Sequence, residues 1–308
     1  MLEKILGKLN WVSQGAVGKK LDDFFPYVLS FPLITALLIV FIIPLFNGIY
    51  VSFFSRQGDF AGVQNYIRAF NSQYFWNSIK LTFIYVSTYT VGVFIVGFFT
   101  ALVLKNADRY RGGNIASYLV TLPYAIPTVV ASLIWIWMFD GQLGVFNYFL
   151  KQMGLLGEGL NWLSNSSTAL YSVLIATIWK LFPLHTMIIL AAFRTVPENL
   201  YEAADIDGAG PIRKFFSITL PMTSNVMKLL LVLTVVWSFK RFTMLWLMTG
   251  GGPGRSTETT VILIYRQAFR FFNRPYATAI GTILLILVTG ISVLYFLYQR
   301  RNSGGVGA

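Results

Sequence analysis

The chain has 308 residues, 56% of them hydrophobic and only 12% charged, with a mean hydropathy of +0.63. Soluble domains carry about 25% charged residues, and here the apolar excess is gathered into long blocks, which excludes a soluble enzyme, a disordered chain and a disulfide-stapled secreted domain and leaves a polytopic membrane protein. Cysteine is absent and His185 is the single histidine, so thiolate and His-pair metal sites are excluded, and the net charge of +12 reads as a determinant of membrane orientation rather than of nucleic-acid binding.

Residues 1–26 come first. Lys4, Lys8, Lys19 and Lys20 alternate with Ile5, Leu6, Leu9 and Trp11, a pattern that suits a short interfacial helix. No small-residue cleavage pattern follows the first apolar run, which therefore reads as a retained span and not as a signal peptide. A spanning helix needs about 20 apolar residues. Six stretches qualify, over 27–50, 81–104, 116–139, 169–193, 223–248 and 277–299. The third holds Pro123 and Pro127 with Tyr124 between them, a bend that packs or gates. The fourth holds Trp179, Lys180, Phe182, Pro183 and His185, and the fifth holds Lys228 near its start and Lys240 and Arg241 late in it. The tail, 300–308, is small and Gly-rich and reads as disordered.

Thirteen Lys and Arg residues fall on the side of the two termini and seven on the other. Basic residues concentrate in cytoplasmic loops, so both termini of this multi-pass chain are expected on the cytoplasmic side.

Between the fourth and fifth spans lies the most polar stretch of that side, 194–222. Glu198, Leu200, Tyr201, Glu202, Ala203, Ala204 and Asp205 form a short helix with one acidic side. Asp207, Gly208, Ala209, Gly210 and Pro211 stop it, since glycine supplies positive φ and proline follows a helix end. Ile212 to Leu220 give a second amphipathic piece, and Pro221 marks the start of the fifth span. By pattern alone this elbow is equally an interfacial connector and a docking element.

The residues Glu202-Ala203-Ala204, Asp207-Gly208-Ala209, Phe215, Ile218 and Leu220-Pro221 resemble the EAA signature of permease subunits of binding-protein-dependent ABC importers. Thr249-Gly250-Gly251-Gly252-Pro253, about 30 residues further on, resembles the loop of the sugar branch, which includes the upstream permeases of maltose, trehalose and glycerol-3-phosphate type systems. The resemblance spans roughly residues 25–300. One departure is Pro221-Met222-Thr223-Ser224-Asn225, where the family often carries a further proline. Another is the lack of the large outer insertion of the enterobacterial maltose relative.

The resemblance implies an all-α membrane fold with the six-span core of type I ABC importer permeases. It implies that Glu202, Ala203, Ala204, Asp207, Gly208 and Ala209 couple the spans to a separate ATPase: Glu202 pairs with a basic group there, the alanines allow close approach and Gly208 makes the turn. It implies as partners a second homologous permease, two cytoplasmic ATPase subunits that hold ATP and Mg, and an extracytoplasmic solute-binding protein. The chain itself is then no enzyme and binds no cofactor. It lines half of the path of a sugar or related carbohydrate, with Trp179, Phe182, Trp237, Ser238 and Arg241 as candidate pathway residues, since related permeases contact solute in these two spans. Taken singly, aromatic residues in spans most often pack or form interfacial belts, and Lys240 and Arg241 have a snorkelling alternative. The basic pair departs from the asparagines common in relatives and suits either an anionic solute, such as a phosphorylated polyol, or a contact with lipid or a partner.

No G-x-x-x-x-G-K-[ST] occurs, and 250–256 (GGGPGRS) has arginine where such a loop needs lysine. No H-E-x-x-H and no paired membrane carboxylate is present. A secondary carrier working alone is the alternative reading, and it lacks the intramembrane acids of a proton relay. A membrane-bound enzyme is a further alternative, and it would need a cluster of catalytic groups that the sequence does not offer.

Overall fold

The computed structural model describes residues 16–107, 113–155 and 158–303. Among them the architecture is helical, with one isolated antiparallel bridge between Phe54 and Phe60. Helix α1 runs Ala16–Leu37, passes through a π-helical turn at Leu38–Ile42 and continues over Ile43–Val51. Then follow α2 (Gln64–Phe70), α3 (Gln73–Ala107), α4 (Gly113–Ala125), α5 (Thr128–Met138), α6 (Val145–Gln152) and α7 (Ala169–Arg194). The elbow helix is α8 (Glu198–Ile206). Helix α9 begins at Pro211–Lys214, widens into a π-helical turn at Phe215–Thr219 and continues over Leu220–Phe239. Three more complete the order: α10 (Thr243–Thr249), α11 (Thr260–Tyr265, extended by a π-helical turn at Arg266–Arg270) and α12 (Arg274–Ser303).

Among the described residues five helices are long and apolar enough to cross a membrane, and the bent pair α4–α5, counted as one span, makes six. The six-span expectation is met in that form. Five features differ from the sequence reading. The third span is two helices meeting at 91°, because Pro127 has no N–H to continue α4 and disfavours the helical conformation in the residue before it. The fifth span ends at Phe239, and after Lys240 and Arg241 a separate helix, α10, begins. The start of that span also lies earlier than Pro221: one helix runs from Pro211, and the π-turn just ahead of Pro221 makes room for its ring. Residues 300–303, expected in a disordered tail, belong to α12; residues 304–308 lie outside the described ones. Residues 1–15 do too, and 16–26 open α1 rather than a separate interfacial helix.

The centre of the bundle is the α3–α7 pair, the most extensive helix pairing among the described residues. Gly97 permits it: a Cβ there would lie 2.8 Å from the Cβ of His185 and 3.3 Å from the Thr186 amide nitrogen. Small residues at a helix crossing allow such backbone approach, the usual device where lipid removes the hydrophobic drive between helices. His185 is buried on this seam; its Nδ1–H donates to the Leu181 carbonyl (3.1 Å), and Nε2 pairs with the Thr234 hydroxyl of α9 (2.8 Å). Pro183 sits inside α7 without breaking it. The same core extends through Trp135 of α5 and Phe139 at its C-terminal cap to Phe146 of α6, with Phe139–Phe146 ring centroids 5.0 Å apart. Helix α1 stands apart. None of its most apolar stretch is buried, and it meets α12 only through its last turns.

Candidate functional site: the elbow and the polar ladder

The elbow is built by local rules. Pro197, extended at φ −60° and ψ 135°, precedes α8, and Glu198 in the first turn complements the positive end of the helix dipole. At the other end Gly208 takes φ +70°. Its amide donates to the Asp205 carbonyl (3.0 Å), and the Ala209 amide donates to the Ala204 carbonyl (2.8 Å). These two bonds make a Schellman motif, which satisfies carbonyls that a helix end otherwise leaves open. Lys214 forms an ion pair with Asp205 across the turn. The sequence-expected coupling residues therefore fall on one small unit. Glu202, Ala203, Asp207 and Gly208 are exposed on it, and Ala204 and Ala209 are half-buried.

Three residues that sequence reasoning passed over fix this unit to the spans. Tyr201 of α8 places its hydroxyl 2.6 Å from Thr219 Oγ1 in α9, and Lys105 Nζ, at the end of α3, donates to the same tyrosine oxygen (3.0 Å). The Lys105 ammonium also lies 4.6 Å from the Tyr201 ring centroid. One tyrosine thus ties the elbow to two spans. The available signal was positional, a lysine closing an apolar run and a tyrosine beside the acidic stripe. Tyr201→Phe is expected to remove both hydrogen bonds and keep the ring, weakening elbow docking by about 1–3 kcal/mol. The check is the ratio of solute-stimulated to basal ATP hydrolysis in vesicles, which should fall several-fold, alongside faster protease cleavage of the elbow. An unchanged ratio would show that Tyr201 carries no coupling.

The candidate pathway residues do not form one surface. Trp179 is half-buried and meets Trp135 edge-on, with ring centroids 5.5 Å apart, and Phe182 is half-buried against the same cluster. Trp237 is half-buried on α9. Ser238 is buried and donates to the Thr234 carbonyl one turn back (2.5 Å), so its hydroxyl is spent within the helix. Arg241 is the informative one. It occupies the break after α9, donates to the Tyr89 hydroxyl (2.9 Å) and lies 4.6 Å from that ring's centroid. Tyr89 stacks on Tyr85 at 6.2 Å, and the Tyr85 hydroxyl donates to Thr177 of α7 (3.3 Å). Arg241, Tyr89, Tyr85 and Thr177 form a polar ladder, half-buried at Arg241 and buried beyond it, from the end of the fifth span into the α3–α7 seam. Its tyrosines were visible only as an i, i+4 pair. Arg241 makes no ion pair among the described residues, and its Nε is buried without a partner.

Lys180 has a different role from Arg241. It is buried, and its Nζ donates to the carbonyls of Ile126 (2.5 Å) and Tyr124 (3.4 Å). Those carbonyls end α4 at the proline break, so the lysine caps a helix C-terminus inside the bundle.

On the far side from the elbow, the glycine-rich loop is also held by charge. Arg266 donates to Glu258 Oε2 (2.8 Å) and to the Gly250 carbonyl (2.8 Å). Burial pushes the Glu258 carboxyl above its ordinary range, and the Arg266 and Arg255 guanidiniums pull it back. Among the described residues no group of three His, Cys, Asp or Glu could hold a metal ion.

Comparison with known proteins agrees with this geometry. Residues 109–304 match the family of binding-protein-dependent transport system inner membrane components. The chain is 33% identical over 286 residues to the sn-glycerol-3-phosphate transport system permease protein UgpA of Yersinia enterocolitica, covering 91% of this chain and 95% of that one. It is 32% identical over 286 residues to the trehalose/maltose transport system permease protein MalF of Thermococcus litoralis, covering 89% and 93%. In fold it matches a chain of a bacterial alginate ABC transporter, crystallised with an alginate pentasaccharide-bound periplasmic protein, at a TM-score of 0.82 and 23% identity over 92% of this chain and 96% of that one. The chain belongs to the binding-protein-dependent transport system inner membrane components, with the type I ABC importer permease fold.

Proposed function

We propose that this chain forms half of the translocation path of an ATP-driven importer for a sugar or related carbohydrate, and that α8 and its turn receive the motion of a separate ATPase. The observation that carries this is the elbow itself. It presents an acidic, small-residue surface to the outside while Tyr201 ties it to α3 and α9. A rigid lever fixed to two spans moves them when its outer face is moved, as a hinge or shear transition requires. The ATPase pair binds ATP and Mg and performs the hydrolysis. A second, homologous permease closes the other half of the path. A solute-binding protein delivers cargo on the far side, and both termini and the elbow face the cytoplasm. UgpA and MalF are named for glycerol-3-phosphate and for trehalose and maltose, and these solutes are the first to test.

One observation favours an anionic cargo. A half-buried guanidinium just past the end of a span, with a partnerless Nε and no counter-ion among the described residues, is costly unless water or an anion meets it. The chain purified with its co-purifying subunits should show ATP hydrolysis stimulated by a binding protein loaded with its solute. The panel is maltose, trehalose and sn-glycerol-3-phosphate. Stimulation by none of the loaded proteins would sink the importer reading. Arg241→Gln is expected to lower stimulation by glycerol phosphate about tenfold or more and to leave a neutral disaccharide within about twofold. An equal loss for both would make Arg241 structural.

A further inference from the structure

A cleft on the far side, opposite the elbow, takes no part in the coupling or in the polar ladder. Two regions distant in sequence meet there: residues 56–74, from the loop after α1 through α2 to the start of α3, and residues 255–276, from the glycine-rich loop through α11 to the start of α12. The cleft has a volume of about 370 Å³, and Arg56, Arg68 and Arg255 line it together with Tyr74, Gln267 and Tyr276. No carboxylate is among its lining residues. The Arg68 guanidinium lies 4.6 Å from the Tyr276 ring centroid and that of Arg255 lies 3.7 Å from the Tyr74 ring centroid. A guanidinium held by its face keeps its N–H edge for a planar anion.

Arg255 is the most constrained of the three. Its φ is +66°, a region that favours glycine, and its Nη1 is buried without a partner. Its Nε lies 3.5 Å from Glu258 Oε2, but that oxygen already accepts from Arg266 at 2.8 Å. One carboxylate is thus shared by two guanidiniums, and the cleft stays positive. Its height decides between lipid and a soluble partner. Helix α3 starts at Gln73, whereas its apolar run starts at Leu81, after Lys80. Eight residues rise about 12 Å, more than the roughly 5–8 Å depth of a headgroup layer. With α3 along the membrane normal, Tyr74 and the Arg255 against its ring reach beyond that layer, where a soluble partner meets them.

We propose that this cleft is a socket for an aspartate or glutamate side chain of the solute-binding protein, and that it sets how that protein seats on this permease. The inference rests on the importer reading given above. Carboxylate fits the arginine fork in a paired, charge-assisted geometry, and three guanidiniums steer an acidic surface toward the cleft before contact.

The test uses the assembled complex in vesicles and titrates the solute-loaded binding protein that stimulates its ATP hydrolysis. Arg56→Glu, at an exposed loop position, and Arg68→Glu should each raise the half-saturating concentration of that protein about tenfold and flatten its dependence on salt, with the maximal rate still reached. A compensating Asp→Arg or Glu→Arg change on the binding protein should restore the original concentration. Half-saturation and salt dependence unchanged in both variants would overturn the socket. So would a defect that tracks the phosphatidylglycerol content of the vesicles rather than the binding-protein concentration, which would assign the cleft to lipid. A wild-type complex that no binding protein stimulates would instead bring down the importer reading, a distinguishable result.

Discussion

Gly208→Pro is expected to reduce solute-stimulated ATP hydrolysis to its basal level while leaving the six spans assembled. Gly208 sits at φ +70°, and proline is confined to about −65°. The substitution also removes the amide that donates to Asp205, and with the turn displaced the Ala209–Ala204 bond is lost too. The open end of α8 then has no fixed direction, and the elbow no longer transmits a push from outside to α9. Because a Cβ at Gly208 would meet nothing within 4 Å, the effect is one of backbone alone. Gly208→Ala should therefore be intermediate, with a cost of about 1–2 kcal/mol for the left-handed conformation, and Gly208→Asn milder still. Glu202→Lys reaches the same end without touching the fold, since Glu202 is exposed and its reversal repels a basic partner. The measurement is stimulated against basal ATPase rate in vesicles, with gel filtration to show the complex intact. Full stimulation in both Gly208→Pro and Glu202→Lys would remove the elbow from the coupling path.

Lys180→Met is expected to cost the folded chain about 1–3 kcal/mol, the penalty for leaving a buried acceptor unsatisfied. The methionine fills the volume and returns the desolvation cost of the ammonium. It cannot donate to the Ile126 and Tyr124 carbonyls, which α4 leaves open at the proline break and which water does not reach in a bilayer core. The loss should appear as a lower unfolding temperature in detergent and a lower yield of assembled complex. Lys180→Gln, which keeps a donor on a shorter arm, should recover part of it. A Lys180→Met chain as stable as the wild type would mean that those carbonyls find other partners.

Where chemistry acts over a few residues, the sequence was legible. The apolar runs of α3, α7 and α12 locate spans because each carries its own hydrophobic mass, and the Asp207–Pro211 turn was legible because glycine and proline act through their own dihedrals. The pathway was less so. Trp179 and Phe182 carry the right chemistry for sugar recognition, yet the fold half-buries both in an aromatic cluster with residues of α5 and α6, which pattern does not reveal. Lys240 and Arg241 read as a snorkelling pair on a continuous helix. The break between α9 and α10 instead turns Arg241 onto Tyr89, a residue about 150 positions away. Lys180 carries no local signal of its partners, which are carbonyls exposed only because another span is broken. Such long-range satisfaction of polar groups is set by the packing, and no local period encodes it.

The wide π-turn at Phe215–Thr219 has a consequence for how the lever is aimed. Such a turn holds one residue more than an ordinary one, and each residue advances a helix by about 100°. It therefore acts as a phase shifter between the elbow and the rest of the fifth span. The azimuth at which α8 meets its partner is fixed by the number of residues in that turn. The count of residues there, together with the Thr219 hydroxyl that meets Tyr201, keeps the acidic face pointing outward while Tyr201 still reaches Lys105.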